Sequence, residues 1–152
     1  MDMLTKHHVE FRQPVYSFHI DSNQNVSNIV FIQWIEIARL KLMEETGYAV
    51  ETLKDKGFMG VVTETCIRYK KPMHLCDQVT IQLWIQDLRR ASVMLGYRFF
   101  DGVGDLVAEG SQEALFVSLK TGKPHRISAK EREPFERFHL ADGPDDPFNT
   151  MR

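Results

Sequence analysis

From Ile29 to Glu45 the apolar residues Val30, Phe31, Ile32, Trp34, Ile35, Ile37, Ala38, Leu40, Leu42 and Met43 follow one another with no Gly or Pro before Gly47. The run is too long for a strand and predicts a helix over roughly Ile29 to Glu45, stopped by Gly47. Its apolar positions fill more than one stripe, so its first turns are expected to be wrapped by protein on most sides. Ahead of it, VEFRQPVYSFHI mixes aromatic and β-branched residues with polar ones and contains Pro14. That composition predicts a first strand, at an edge or with a bulge, ending near Asp21. Behind the helix come four strand-like segments, FMGVVTETCIRYKK, DQVTIQLWIQDL, ASVMLGYRFFD and DLVAEGSQEALFVSL. In the second of them Val79, Ile81, Leu83 and Ile85 alternate with Gln78, Thr80, Gln82 and Gln86, the pattern of a sheet with one buried face. Short turns at HLCD (74–77), LRR (88–90) and DGVGD (101–105) make the sheet mainly antiparallel. AKEREPFERF predicts a short closing helix. Residues 1–140 then form a single domain, and the polar, Pro-rich 141–152 is expected to be a mobile tail.

One long buried helix and a run of long antiparallel strands give an α+β domain whose sheet curls around the helix, the hotdog architecture. Such a sheet has an exposed edge and an incompletely covered face, so a homodimer or homotetramer is expected. The 152 residues suffice for a core without disulfide or metal staples. A hydrophobic fraction of 43% with 26% charged residues excludes both a wholly disordered chain and a membrane protein. The net charge of -2 argues against a general nucleic-acid binder. The start, MDMLTKHHVEF, lacks the apolar run of a secretory signal, which points to a reducing cytoplasm. Cys66, in a strand, and Cys76, beside a turn, are read as buried thiols. The adjacent His7 and His8, in a terminus expected to be mobile, do not have helical ligand spacing, and no metal site is expected.

Several segments resemble the acyl-CoA thioesterases of the hotdog superfamily, of the 4-hydroxybenzoyl-CoA thioesterase type with its relatives of the YbgC kind. The family has an Asp at the end of the first strand, a loop, then a helix bearing an aromatic, an acidic residue and an Ala-Arg pair. In this chain these are Asp21, Phe31, Glu36, Ala38 and Arg39. A second match is DLRRASV, with paired arginines at a turn between strands, and a third is KTGKPHRIS after the last long strand. The likeness extends over about Phe11 to Phe135. The family loop carries a small residue and a Gly after the Asp, whereas Ser22, Asn23, Gln24 and Asn25 stand here, and the first of two frequent acidic positions is His19.

The resemblance implies hydrolysis of an acyl-CoA thioester to a carboxylic acid and free coenzyme A, with no cofactor. It implies that Asp21 is nucleophile or general base. The N–H groups of Asn28 and Ile29, at the positive end of the helix, are the expected oxyanion site. Without the resemblance, Asp21 reads as a strand-end residue bonding loop N–H groups. Arg89, Arg90, Arg126 and Lys123, with Lys120, are the residues expected to hold the coenzyme A phosphates, their alternative being a solvated turn. Glu36 and Arg39, spaced i, i+3, read as a structural ion pair or a link to the sheet. Trp34, Trp84 and the phenylalanines line either the core or an acyl pocket. Two rival functions are a non-catalytic acyl-thioester binding protein and a hotdog acyl-thioester dehydratase. Glu64 and Glu113 are the reserve carboxylates.

Overall fold

The computed structural model describes residues 7–149. Strand β1 (Val9–Pro14) leads through a 3₁₀ turn (Ser17–His19) and a loop into α1 (Asn28–Thr46). A second 3₁₀ turn (Val50–Thr52) and α2 (Leu53–Lys56) precede β2 (Phe58–Tyr69), β3 (Gln78–Leu88), β4 (Ser92–Phe100) and β5 (Leu106–Ser118), and α3 (Ala129–Glu136) follows. The five strands form one antiparallel sheet in the order β1-β3-β4-β5-β2. The helix-and-curled-sheet arrangement expected from the periodicity is the one found. The first strand, however, stops at Pro14 rather than near Asp21, because its partner β3 begins at Gln78, opposite Pro14.

Ser27 caps α1, its hydroxyl accepting the Ile29 N–H at 3.3 Å, and Gly47 ends the helix at φ 82, where L side chains are strained. Val30, Phe31, Trp34, Ile35, Ala38, Leu42 and Thr46 form one buried stripe. Phe31 meets Trp34 and Phe99 edge-on, with centroids 5.4 and 5.2 Å apart, the favoured aromatic geometry. The helix is not wrapped on most sides. Ile29 is 68% exposed and Ile32 and Ile37 are also exposed, because α1 packs chiefly over β3 and β1. Toward β2 and β5 it leaves a pocket near each of its ends. Halfway along, Arg39 pairs with Glu36 and donates to Gln112 Oε1 at 2.9 Å, and Gln112 donates in turn to Thr65 Oγ1 at 3.1 Å. This is both the ion pair and the link to the sheet expected of Glu36 and Arg39.

The sheet is buried on both faces at β3, not on one: Thr80, Gln82 and Trp84 are inaccessible along with Val79, Ile81, Leu83 and Ile85. The cover comes from the chain after α3, residues 138–140 of the domain and then the first residues of the segment 141–152 read as a mobile tail. Residues 138–140 bond to both sides of Ile85, extending the β1 side of the sheet. Arg98 then donates to the carbonyls of Pro144 and Asp142 at 2.8 and 3.2 Å and lies 4.7 Å over the Trp84 ring. Gln82 donates to the Asp145 carbonyl at 3.0 Å and the Phe148 ring lies 6.2 Å from that of Phe100, so this strap is held as far as Phe148; 150–152 lie outside the described residues. At the other end, His7 Nδ1 is 3.1 Å from the Arg137 carbonyl. Neither cysteine is buried. Cys66 faces outward from β2 beside Glu64, and Cys76 sits in the β2–β3 turn at φ 73.

A close approach fixes the β4–β5–β2 side. Tyr97 leans across Gly110, which has no side chain, and its buried hydroxyl donates to the Cys66 carbonyl. Burial holds the Tyr97 phenol well above its ordinary pKa.

Candidate active site

Asp21 stands in a loop closed by the Ile20–Val26 bridge. Its Oδ1 accepts the N–H of Asn23 at 2.8 Å and of Asn25 at 3.3 Å, and its own N–H donates to the Asn25 carbonyl. The loop-bonding role is therefore present, while Oδ2 has no hydrogen bond among the described residues. No glycine is available for the tight part of this loop, and Gln24 takes the left-handed conformation itself, at φ 66. Val26 N–H donates to the Met73 carbonyl and Ser27 N–H to that of His19, which fasten the loop to the β2–β3 turn and to the 3₁₀ turn.

Asp21 opens onto a groove whose walls include Asn25, Asn28, Phe31, Tyr69 and Lys71. At the helix end of this groove the Asn28 N–H has no partner among the described residues, whereas Ile29 N–H is shared with the Ser27 cap. Of the two expected oxyanion donors, Asn28 is the free one. Tyr69 closes the opposite wall, its hydroxyl donating to the Asn28 carbonyl at 3.1 Å and its ring meeting Phe31 at 5.4 Å. Sequence reasoning did not single out Tyr69. The signal was its period-two spacing from Thr65 and Ile67, which puts it on the inner face at the strand end nearest Asp21. Lys71 also borders the groove but is committed to Asp101 and Asp105 at 2.6 and 3.0 Å.

The basic residues lie elsewhere. Arg90 and Arg126 are brought together by the Ile127 N–H bond to the Arg90 carbonyl. Arg89 pairs with Asp87 at 2.9 Å, and Arg132 clamps the turn by donating to the Leu88 and Arg89 carbonyls. Lys120 and Lys123 sit exposed in the neighbouring turn after β5. This cluster is at the far end of β3 from the Asp21 loop, about 33 Å away along the strand. Glu64 and Glu113 oppose one another across β2 and β5, on the outer face, away from the groove.

His19, two residues before Asp21, is buried against Trp34 at 5.2 Å and accepts the Tyr16 N–H on Nδ1 at 3.0 Å. Burial lowers its pKa below the ordinary 6.5. As pH falls the unfolded chain therefore takes up a proton before the folded one does. The stability contributed by the neutral ring is complete above 6.5 and is lost as pH falls from there through the folded value. Wild type should lose more in melting temperature than His19→Gln between about pH 7.5 and about pH 5.5, as read by thermal denaturation followed by circular dichroism. Parallel losses would remove His19 as the cause.

Comparison with known proteins shows the family and the fold. The family model described as Thioesterase-like superfamily matches residues 18–135. The long-chain acyl-CoA thioesterase FadM of Escherichia coli (strain K12) is 27% identical over 125 residues, covering 82% of this chain and 94% of its own. Two solved structures share the fold. The DHNA-CoA thioesterase of Staphylococcus aureus has a TM-score of 0.76 at 21% identity, with 86% of this chain and 89% of its own covered. The 1,4-dihydroxy-2-naphthoyl-CoA thioesterase of Synechocystis has a TM-score of 0.75 at 16% identity, with 90% and 99% covered. With its hotdog sheet, its helix-capping loop and a family match running from the 3₁₀ turn to α3, the chain belongs to the thioesterase-like superfamily.

Proposed function

We propose that this protein is an acyl-CoA thioesterase that uses Asp21 as the attacking carboxylate or as general base on water. The observation that carries this reading is a carboxylate with one oxygen pinned by loop N–H groups and the other unpartnered, in a groove that ends at the free Asn28 N–H. Thioester hydrolysis needs both an attacking oxygen and a donor for the developing oxyanion, and this groove has one of each. Membership of a thioesterase superfamily and the likeness to FadM support the same reaction. The decisive assay follows thiol release from a panel of aromatic and aliphatic acyl-CoAs. Release supports hydrolysis; a blank across the panel with intact ligand binding would make the protein an acyl-thioester binding module.

In one protomer, the arginine cluster is too distant from Asp21 to hold the coenzyme A phosphates of the same substrate. Pairing β2 with its copy about a two-fold axis resolves this. β2 is a 12-residue edge strand with exposed Met59, Val61 and Tyr69, and an open edge of that length is a ready template for another strand. Antiparallel pairing sets the Tyr69 end of one strand, with its Asp21, beside the Phe58 end of the other. Near that end lie Arg90, Arg126 and Lys123, because Phe116 pairs with Gly60 and bonds to Ala91 and His125. The homodimer, alone or doubled into a tetramer, then completes each site. The exposed, unbridged thiols suit a reducing compartment such as the cytoplasm. Removing both arginines, as Arg89→Ala with Arg90→Ala, should raise KM for acyl-CoA about tenfold and change kcat much less. A short pantetheine thioester, which lacks the nucleotide, serves as control. An unchanged KM for acyl-CoA takes the pair out of the site.

A further inference from the structure

Hydrogen bonds fix the backbone on both sides of the Asn28 N–H and leave that group free among the described residues. Ahead of it, Val26 N–H goes to the Met73 carbonyl at 2.8 Å, Ser27 N–H to that of His19 at 2.9 Å, and the Ser27 carbonyl accepts the Val30 N–H at 3.0 Å. Behind it, the Asn28 carbonyl accepts the Tyr69 hydroxyl at 3.1 Å. Met73 and Tyr69 belong to one stretch of chain, the end of β2 and the turn after it. Tyr69 is the last residue of β2, opposite Ala108 on β5. The next two N–H groups, of Lys70 and Lys71, both bond to the Val107 carbonyl, at 2.8 and 3.2 Å. The Tyr69 side chain therefore starts from backbone that cannot shift without breaking the sheet.

The hydroxyl is not needed to satisfy the Asn28 carbonyl. Asn28 is the first residue of α1, so the helix itself supplies a donor, the N–H of Ile32 four residues on, and the phenol takes the second lone pair. Nor does the phenol need the carbonyl, since Tyr69 is 39% exposed and within reach of water. What the bond adds is a fixed distance between the end of β2 and the first turn of the helix. The ring is held as well, edge-on to Phe31 with centroids 5.4 Å apart. Partial burial raises the phenol above its ordinary pKa, so it remains a donor at neutral pH.

Resting on the Asn28 N–H as the oxyanion donor, we infer that Tyr69 is a positioning residue: through the Asn28 carbonyl it holds the first turn of α1 so that this N–H meets the thioester oxygen opposite Asp21. Tyr69→Phe keeps the ring and its contact with Phe31 and leaves the carbonyl its helical donor, so its melting temperature should stay close to that of wild type. Its kcat should fall about tenfold with KM for acyl-CoA nearly unchanged, less than the roughly 10²-fold or more that outright loss of an oxyanion donor costs. A dithioester separates this role from a purely structural one. In it sulfur replaces the acyl oxygen of the same acyl-CoA, and sulfur accepts an N–H bond weakly. Wild type should hydrolyse the thioester at least about tenfold faster than the dithioester, and the deficit of Tyr69→Phe should shrink to about twofold or less on the dithioester. Wild-type kcat in Tyr69→Phe, or equal deficits on the two substrates while wild type prefers the thioester, overturns the proposal alone. A wild type that prefers neither substrate takes the Asn28 N–H out of the site, and the proposal falls with that reading. If Asp21→Asn keeps wild-type kcat while Tyr69→Phe shows the selective deficit, the failure lies with Asp21 and the role of Tyr69 stands.

Discussion

Asp21→Asn should fold, bind acyl-CoA and lose about 10²-fold or more in kcat. The substitution keeps size, and it keeps an oxygen to accept the Asn23 and Asn25 N–H groups at 2.8 and 3.3 Å, so the loop retains its shape. What it changes is the second oxygen, which becomes an amide NH₂ that can neither attack a carbonyl nor take a proton from water. The expected signature is therefore a fall in kcat with KM for acyl-CoA nearly unchanged, measured by thiol release, and a melting temperature close to that of wild type. Wild-type kcat with a lowered melting temperature would leave Asp21 with loop bonding alone. Glu64 and Glu113 would then be poor substitutes, since they face one another on the outer side of the sheet.

The largest effect on stability should come from Gly110→Ala. A β-carbon there would press into the Cys66 carbonyl oxygen and stand 2.7 Å from the Tyr97 hydroxyl. The first obstacle is backbone of the paired strand, so relief requires β2 and β5 to separate or Tyr97 to withdraw from a buried hydrogen bond. Destabilisation by about 3 kcal/mol or more is expected, read from the midpoint of urea denaturation. A smaller effect in Tyr97→Phe with Gly110→Ala than in Gly110→Ala alone would assign part of the cost to the hydroxyl. A wild-type midpoint for Gly110→Ala would mean that this side of the sheet tolerates a wider strand spacing.

Much of this fold was legible in the pattern because periodicity reports on the faces that secondary structure buries. The helix from Ile29 to Glu45, its stop at Gly47 and the strands after it follow from that alone. The burial of Thr80, Gln82 and Trp84 did not, since their cover is ADGPDDPFN, whose composition is that of an unstructured tail. What holds it is the contact of specific groups, chiefly Arg98 with two carbonyls and the Trp84 face, and no local rule foresees that pairing across more than forty residues. The exposed cysteines escaped for a related reason. Cys66 alternates correctly with its neighbours, but nothing in one strand says which of its faces the helix covers. At the site, Asp21 stands out through the family likeness and Asn28 through its place at the start of the helix, whereas Tyr69 has no motif around it and is found only by where β2 ends.

The strap over β3 and β4 lies C-terminal to every strand it covers. During synthesis Trp84, Gln82 and Arg98 are therefore made well before the residues that shield them, and the sheet can pair completely while its outer face is still bare. A nascent chain at that stage presents the Trp84 ring and a hydrated guanidinium to solvent until the final segment emerges and docks.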